Sequence, residues 1–149
     1  MPKFKRLPKK AKPFKFELEE AFTITPRFDR EFWIDHKHTY IDGLYYIQHT
    51  GIGFLKGGRN NGLTCHRDHS WALTAAHCHD VLLSEGYAAV DMSKEKRAAV
   101  DRVFLSVLLD HVDTLTGFKK VLYKSFAYAM YWAVRANSNV KHLLDSIKG

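Results

Sequence analysis

The sequence predicts an α+β fold, with an irregular or β-containing N-terminal half and a helical C-terminal half of three to four helices. Three observations carry this expectation. From Ser70 onward apolar residues recur at helical spacing between capping residues. Before Ser70, short alternating stretches are broken by glycine and proline. The 149 residues, 46% apolar and 26% charged, also have the size and balance of one globular domain that can bury a core.

The elements follow in order. Residues 1–16 read as a basic extended arm ahead of a single α+β domain over residues 17–149. In the arm, Lys3, Lys5, Arg6, Lys9, Lys10, Lys12 and Lys15 meet no acid before Glu17, and they hold much of the formal charge of +7. Pro2, Pro8 and Pro13 favour extended backbone, and Phe4, Phe14 and Phe16 are spaced to anchor on a partner surface. The arm has no apolar core of a secretory signal. Its prolines and lack of serine do not suit a transit peptide, and no apolar stretch in the chain reaches membrane-crossing length, so a soluble protein is expected.

Glu17 to Ile34 alternates apolar and polar residues around Pro26 and predicts short extended segments, with a strand pair among them. His38 to Gly62 is aromatic and glycine-rich, with turns signalled at Asp42-Gly43, Gly57-Gly58 and Asn61-Gly62, and predicts loop with at most short strands. Ser70 caps a helix running from Trp71 to about Leu83, with Gly86 past its end. Ser93 caps a second helix to about Asp110, with Lys96 in place of a capping-box acid. Its buried stripe is either Ala99, Val103, Val107 and Leu108 or Val100, Phe104 and Leu108. A third helix follows Gly117 to about Ala136 and is expected to bury Val121, Leu122, Phe126, Met130 and Val134. A short fourth, from Asn139 to Ile147, closes the chain. There is no internal repeat.

Two cysteines, Cys65 and Cys78, are too few to staple a domain of this size. Both the paired and the free state stay open, with reduced thiols expected. Nine histidines raise the question of a metal, but they form no HExxH or zinc-ribbon spacing; His66-Arg67-Asp68-His69 beside Cys65 is the one ligand-like cluster.

The stretch Leu73-Thr74-Ala75-Ala76-His77-Cys78 resembles the segment around the catalytic histidine of trypsin-like serine proteases. That chemistry needs a β-barrel setting and a serine between glycines whose backbone amides form an oxyanion hole. Ser84, Ser93, Ser106, Ser125, Ser138 and Ser146 all fall at helix ends or inside helices, without such glycines. The stretch therefore reads as the small-residue face of a buried helix.

Chemistry, if present, is expected at His79, Asp80 and Asp101. On a helix His79 and Asp80 point about 100° apart and act on neighbouring objects rather than on each other. A histidine that takes a proton from water, beside an aspartate holding a cation, suits hydrolysis. Asp101, on the next helix and beside Val100, Val103 and Phe104, is placed by antiparallel packing to orient the His79 imidazole. A carboxylate near a buried stripe needs a partner. The other reading of the same three residues is a buried polar network that fixes helix packing.

These residues carry a resemblance. Ala75-Ala76-His77-Cys78-His79-Asp80, then Arg97-Ala98-Ala99-Val100-Asp101, then Tyr131-Trp132-Ala133-Val134-Arg135 resemble a family of short, uncharacterised phage-encoded proteins. In that family a small-residue helix ends in His-Asp, an Arg-x-x-x-Asp helix follows, and a further helix ends in Val-Arg. Upstream, Asp42-Gly43 matches the family, while Leu44-Tyr45-Tyr46 departs from its Ser-Ile-Pro. A weaker resemblance, of mechanism, is to secreted phospholipases A2. They place His-Asp on one helix and an aspartate on an antiparallel helix, after a glycine-rich calcium loop. Gly51 to Gly58 is the corresponding stretch, so Gly51, Gly53 and Asp80 are the candidate calcium ligands, with Lys56 and the missing disulfide framework departing from that pattern.

The resemblance implies a phage virion structural or accessory protein, associated with head, connector or tail. It would be made in the host cytoplasm and dock, in many copies, on other virion proteins through the basic arm. The alternative is a calcium-dependent hydrolase using His79, Asp80 and Asp101 on an ester or cell-envelope substrate. A third reading is a nucleic-acid-binding accessory protein whose arm contacts a polyanion, although it lacks the aromatic-and-basic surface of a folded RNA binder. Tyr40, Tyr45, Tyr46, Phe54, Trp71, Tyr123, Phe126, Tyr128, Tyr131 and Trp132 are expected in the core and at a subunit interface, the other reading of the set being a carbohydrate or lipid platform. Arg135 is expected to pair with Asp101 or Asp80, or to sit at the helix C-terminus.

Overall fold

The computed structural model describes residues 4–11, 16–31, 45–47, 53–55, 59–60, 70–84 and 94–148. They form the expected α+β arrangement, with two small antiparallel sheets and three helices. The first sheet has the order β1-β2-β6, where β1 is Phe4–Arg6, β2 is Phe16–Leu18 and β6 is Arg59–Asn60. Phe4 lies opposite Leu18, and Glu17 opposite Arg59. The second sheet has the order β3-β5-β4, with β3 at Phe22–Ile24, β5 at Gly53–Leu55 and β4 at Tyr45–Ile47. Residues 4–6 of the basic segment are thus extended and form an edge strand. A single 3-10 turn follows at Lys9–Ala11.

The strand pair expected between Glu17 and Ile34 is corrected. Both strands form, but β2 pairs with β1 and β6 while β3 pairs with β5, so the two belong to different sheets. Glu19-Glu20-Ala21 contains no residue suited to the left-handed conformation that a three-residue hairpin loop uses, and the chain passes from one sheet to the next instead. The turns expected at Asp42-Gly43, Gly57-Gly58 and Asn61-Gly62 lie outside the described residues, as do Cys65 and the His66 to His69 cluster.

Helices α1 (Ser70–Ser84) and α2 (Lys94–Val112) start and end within two residues of the positions that their caps predict. Helix α3 runs unbroken from Gly117 to Lys148. The expected break before Asn139 is absent, because Asn137-Ser138-Asn139 offers neither glycine nor proline to stop a helix already propagating. The α2–α3 connection is closed by backbone bonds from Asp113 to Leu109, Thr114 to His111 and Leu115 to Val112. The Thr114 hydroxyl also donates to the His111 carbonyl at 2.6 Å. Gly117 opens α3 with a φ of 63°, which only glycine adopts without strain.

Helix α2 is central and packs on α1 and α3. Both expected stripes are used: Ala99, Val100, Val103, Phe104 and Leu108 are all buried, and Val107 is partly buried against the core. On α3 the expected core face is corrected. Met130 is buried and Val134 packs against the core, but Val121, Leu122 and Phe126 are exposed. The face turned to α2 carries Tyr123, Ala127, Met130, Tyr131 and Val134. At one end of the three helices Trp71 stacks on His111 at 5.4 Å and meets Tyr123 at 5.2 Å. One aromatic cluster therefore joins α1, α2 and α3.

The segment after β3 is stitched along α2. The Arg27 amide donates to Ser106 Oγ at 2.9 Å, and its guanidinium to Asp110 at 2.9 Å and to Asp113. Arg102 makes two bonds, of 2.6 and 2.9 Å, to Asp29, which adopts a φ of 59°. Arg102, Ser106, Asp110 and Asp113 recur every three to four residues, so they form one stripe along the helix. The Arg27 bond, with its charge, holds the Asp113 carboxyl below its ordinary range.

Desolvation pushes the pKa of His111 below the usual histidine value, and nearby Lys119 adds to the shift. The folded chain therefore binds a proton at His111 less readily than the unfolded chain. This stabilising contribution is complete above the unfolded value of about 6.5 and is lost as pH falls through the folded one. Thermal melts across this range should show a melting temperature that declines with acidification, and His111→Gln should make the decline shallower. An unchanged slope in the variant would show that His111 is not its source.

Candidate functional site

Helix α1 presents its histidines to different neighbours, because residues two apart on a helix point about 200° apart. His77 is fully buried and faces the sheets, with its ring edge-on to Phe4 of β1 at 5.3 Å and tilted to Phe22 of β3 at 6.4 Å. It serves as the contact between α1 and the strands. Ala75, Ala76 and Cys78 beside it are buried as well, in agreement with a small-residue buried face. Cys78 is free, and desolvation raises its pKa, so the thiol is not poised to form a nucleophilic thiolate.

His79 faces α2. Its Nε2 lies 2.6 Å from Asp101 Oδ1, and its ring stands edge-on to Phe104 at 5.8 Å. The other carboxylate oxygen of Asp101 accepts a bond from Arg135 Nη1 at 2.7 Å. Asp101 is 0% exposed, while the side chains of His79 and Arg135 are 14% and 15% exposed. A fully buried carboxylate on α2 is thus held between an imidazole from α1 and a guanidinium from α3.

Three consequences follow from this geometry. An ionised carboxylate only accepts hydrogen bonds, so Nε2 is the protonated nitrogen of His79 and the ring orientation is fixed. Arg135 supplies the countercharge that a buried carboxylate needs away from water. The cluster also locks the register of three helices, because sliding any of them by one turn would separate a buried charge from its partner. Removing one member of such a group costs far more than the group gains over an apolar packing of the same shape.

The expected approach of Asp101 to His79 is present, and Arg135 reaches Asp101, one of the partners expected for it. Asp80 is half-buried next to His79. Gly51 lies outside the described residues, and Gly53 is the first residue of the central strand β5, opposite Ile24 and Ile47. Among the described residues no group of three or more His, Cys, Asp or Glu side chains is arranged to hold a metal ion. In the basic segment Lys5, Arg6, Lys9 and Lys10 are exposed, while Lys3, Lys12 and Lys15 lie outside the described residues.

Sequence reasoning missed the Arg27 and Asp29 anchors on α2. A signal was present: Arg102, Asp110 and Asp113 form a charged stripe on a mostly apolar helix, and the short Arg27-Phe28-Asp29 segment carries the complementary charges. In comparisons with protein families, curated proteins and solved structures, the chain matches none.

Replacing Asp101 tests the cluster. Asp101→Asn, which keeps hydrogen-bonding capacity but loses the charge, should cost roughly 1 to 3 kcal/mol in chemical denaturation. Asp101→Ala should cost about 3 to 5 kcal/mol, because Arg135 and His79 are left without their acceptor. If Asp101→Ala cost no more than a surface substitution, the three helices would not depend on this carboxylate.

Proposed function

We propose that this chain is a phage virion structural or accessory protein that docks on neighbouring virion proteins, in many copies, through its basic N-terminal segment. The observation that carries the reading is the way this segment is held. Phe4 to Arg6 pair with β2, Phe4 rests against the buried His77, and the Arg6 guanidinium lies over the Phe16 ring at 5.7 Å. Lys5, Arg6, Lys9 and Lys10 are nevertheless exposed. The fold orders the backbone and leaves the charges facing outward, an arrangement that suits an acidic protein surface better than a mobile polycation. The assignment to a virion rests on the likeness of the His-Asp, Arg-x-x-x-Asp and Val-Arg helices to the phage-encoded family.

Four charge reversals, Lys5, Arg6, Lys9 and Lys10 each to Glu, test it in the full chain. The variant should keep the helical spectrum and a melting temperature close to that of the parent. When supplied to the phage in place of the parent chain, it should be depleted from purified particles by mass spectrometry. Normal incorporation would remove the docking role from this segment.

A second reading, calcium-dependent hydrolysis, is favoured by one observation. The 2.6 Å His79–Asp101 bond orients the imidazole as a general base requires, with the half-buried Asp80 next along the helix. In that reading calcium binds the folded chain and raises its melting temperature, and Asp80→Asn abolishes most of the increase. A melting temperature indifferent to millimolar calcium would count against this reading without touching the first.

A further inference from the structure

Helix α3 is apolar on two opposite faces. One face packs on α2. The other exposes Phe118 at 79%, Val121 at 63% and Trp132 at 63%, together with Leu122, Phe126 and Tyr128. At about 100° per residue these six side chains span roughly 160° of the helix circumference, far wider than the narrow seam by which two helices pair. Lys119 and Lys124 stand at its two borders, and both are exposed.

We propose that this face of α3 lies on an anionic lipid surface, with the apolar side chains in the interfacial layer and the bordering lysines on the headgroups. The inference is independent of the docking role of the basic segment. Charge decides against a second copy of the chain as the occupant. From Thr114 to Leu144 the sequence holds not one acid, so a second copy placed face to face would offer the border lysines Lys119 and Lys124 no countercharge from this stretch. The breadth of the face decides for a bilayer over a protein groove, since a flat, fluid surface can meet a wide convex stripe without a matched cleft.

The side-chain chemistry agrees. Lysine stems lie along apolar surface while their ammonium groups reach the headgroups, and Tyr128 and Trp132 have the amphipathic rings that concentrate at that depth. No helix among the described residues is long and apolar enough to cross a membrane, so α3 would rest on the bilayer rather than span it.

The test mixes the full-length chain with vesicles of phosphatidylcholine alone and of phosphatidylcholine with phosphatidylglycerol, and reads binding by co-sedimentation. The chain should pellet with the anionic vesicles and not with the neutral ones. Brominated lipid should quench its tryptophan emission, and most of that quenching should vanish in Trp132→Phe. Neutralising both border lysines, Lys119→Gln with Lys124→Gln, should weaken partitioning roughly thirtyfold at low salt. Phe118→Gln with Val121→Gln should also weaken it while leaving the helical spectrum unchanged, since both positions are exposed.

Failure to pellet with anionic vesicles would overturn the proposal. So would undiminished binding of the Phe118→Gln, Val121→Gln variant, which would place adsorption on the basic N-terminal segment. A concentration-dependent dimer that this variant abolishes would overturn it too, and would make the face a contact between copies.

Discussion

Burying a carboxylate is the constraint around which this molecule is arranged. Asp101 sits on the central helix α2 with no solvent exposure, in a region otherwise lined by Val100, Val103 and Phe104. A lone charge there, on α2, would be too costly to keep. The base and the hydrogen-bond donor come from outside it, His79 from α1 and Arg135 from α3. Helix direction and register then follow together. Antiparallel packing that brings His79 to Asp101 also brings Trp71 to His111, and the packing that brings Arg135 to Asp101 brings Tyr123 to the same aromatic cluster. The ionic cluster and the aromatic cluster are two ends of one alignment.

The remaining contacts are attached to this three-helix frame. His77, two residues before His79 and on the opposite side of α1, takes the aromatic contacts of Phe4 and Phe22 and so fixes one strand from each sheet. Arg27 and Asp29 bind Ser106 and Arg102 of α2 and hold the segment leaving β3. These surface ion pairs gain less than the buried cluster, because water screens them, but the two-bond Arg102–Asp29 contact has the fork geometry that fixes direction.

An orienting carboxylate and a structural carboxylate need the same bond to histidine, which is why one cluster supports two functional readings. Arg135 adds weight to the structural side, since it gives Asp101 a full countercharge whether or not His79 is protonated. The surface is less ambiguous in its chemistry. Both outward-facing features, the bases beside β1 and the lysine-bordered face of α3, carry exposed basic side chains.

The sequence by itself determined the α+β class, the position of α1 and α2, and the meeting of His79 with Asp101, because these depend on local signals. Helical spacing of apolar residues marks both elements, and antiparallel packing of the two helices brings such positions together. Tertiary structure alone decided the rest. Val121, Leu122 and Phe126 share one face of a helix as Tyr123, Ala127, Met130 and Val134 share another, so periodicity finds two apolar faces on α3 and cannot rank them. The ranking comes from Trp71 and His111, which receive Tyr123, and from Asp101, which receives Arg135. The pairing of β2 with β1 and of β3 with β5 is decided in the same way. Three-residue strands carry too few side chains to specify a partner, and their neighbours are set by the helix against which the sheets pack.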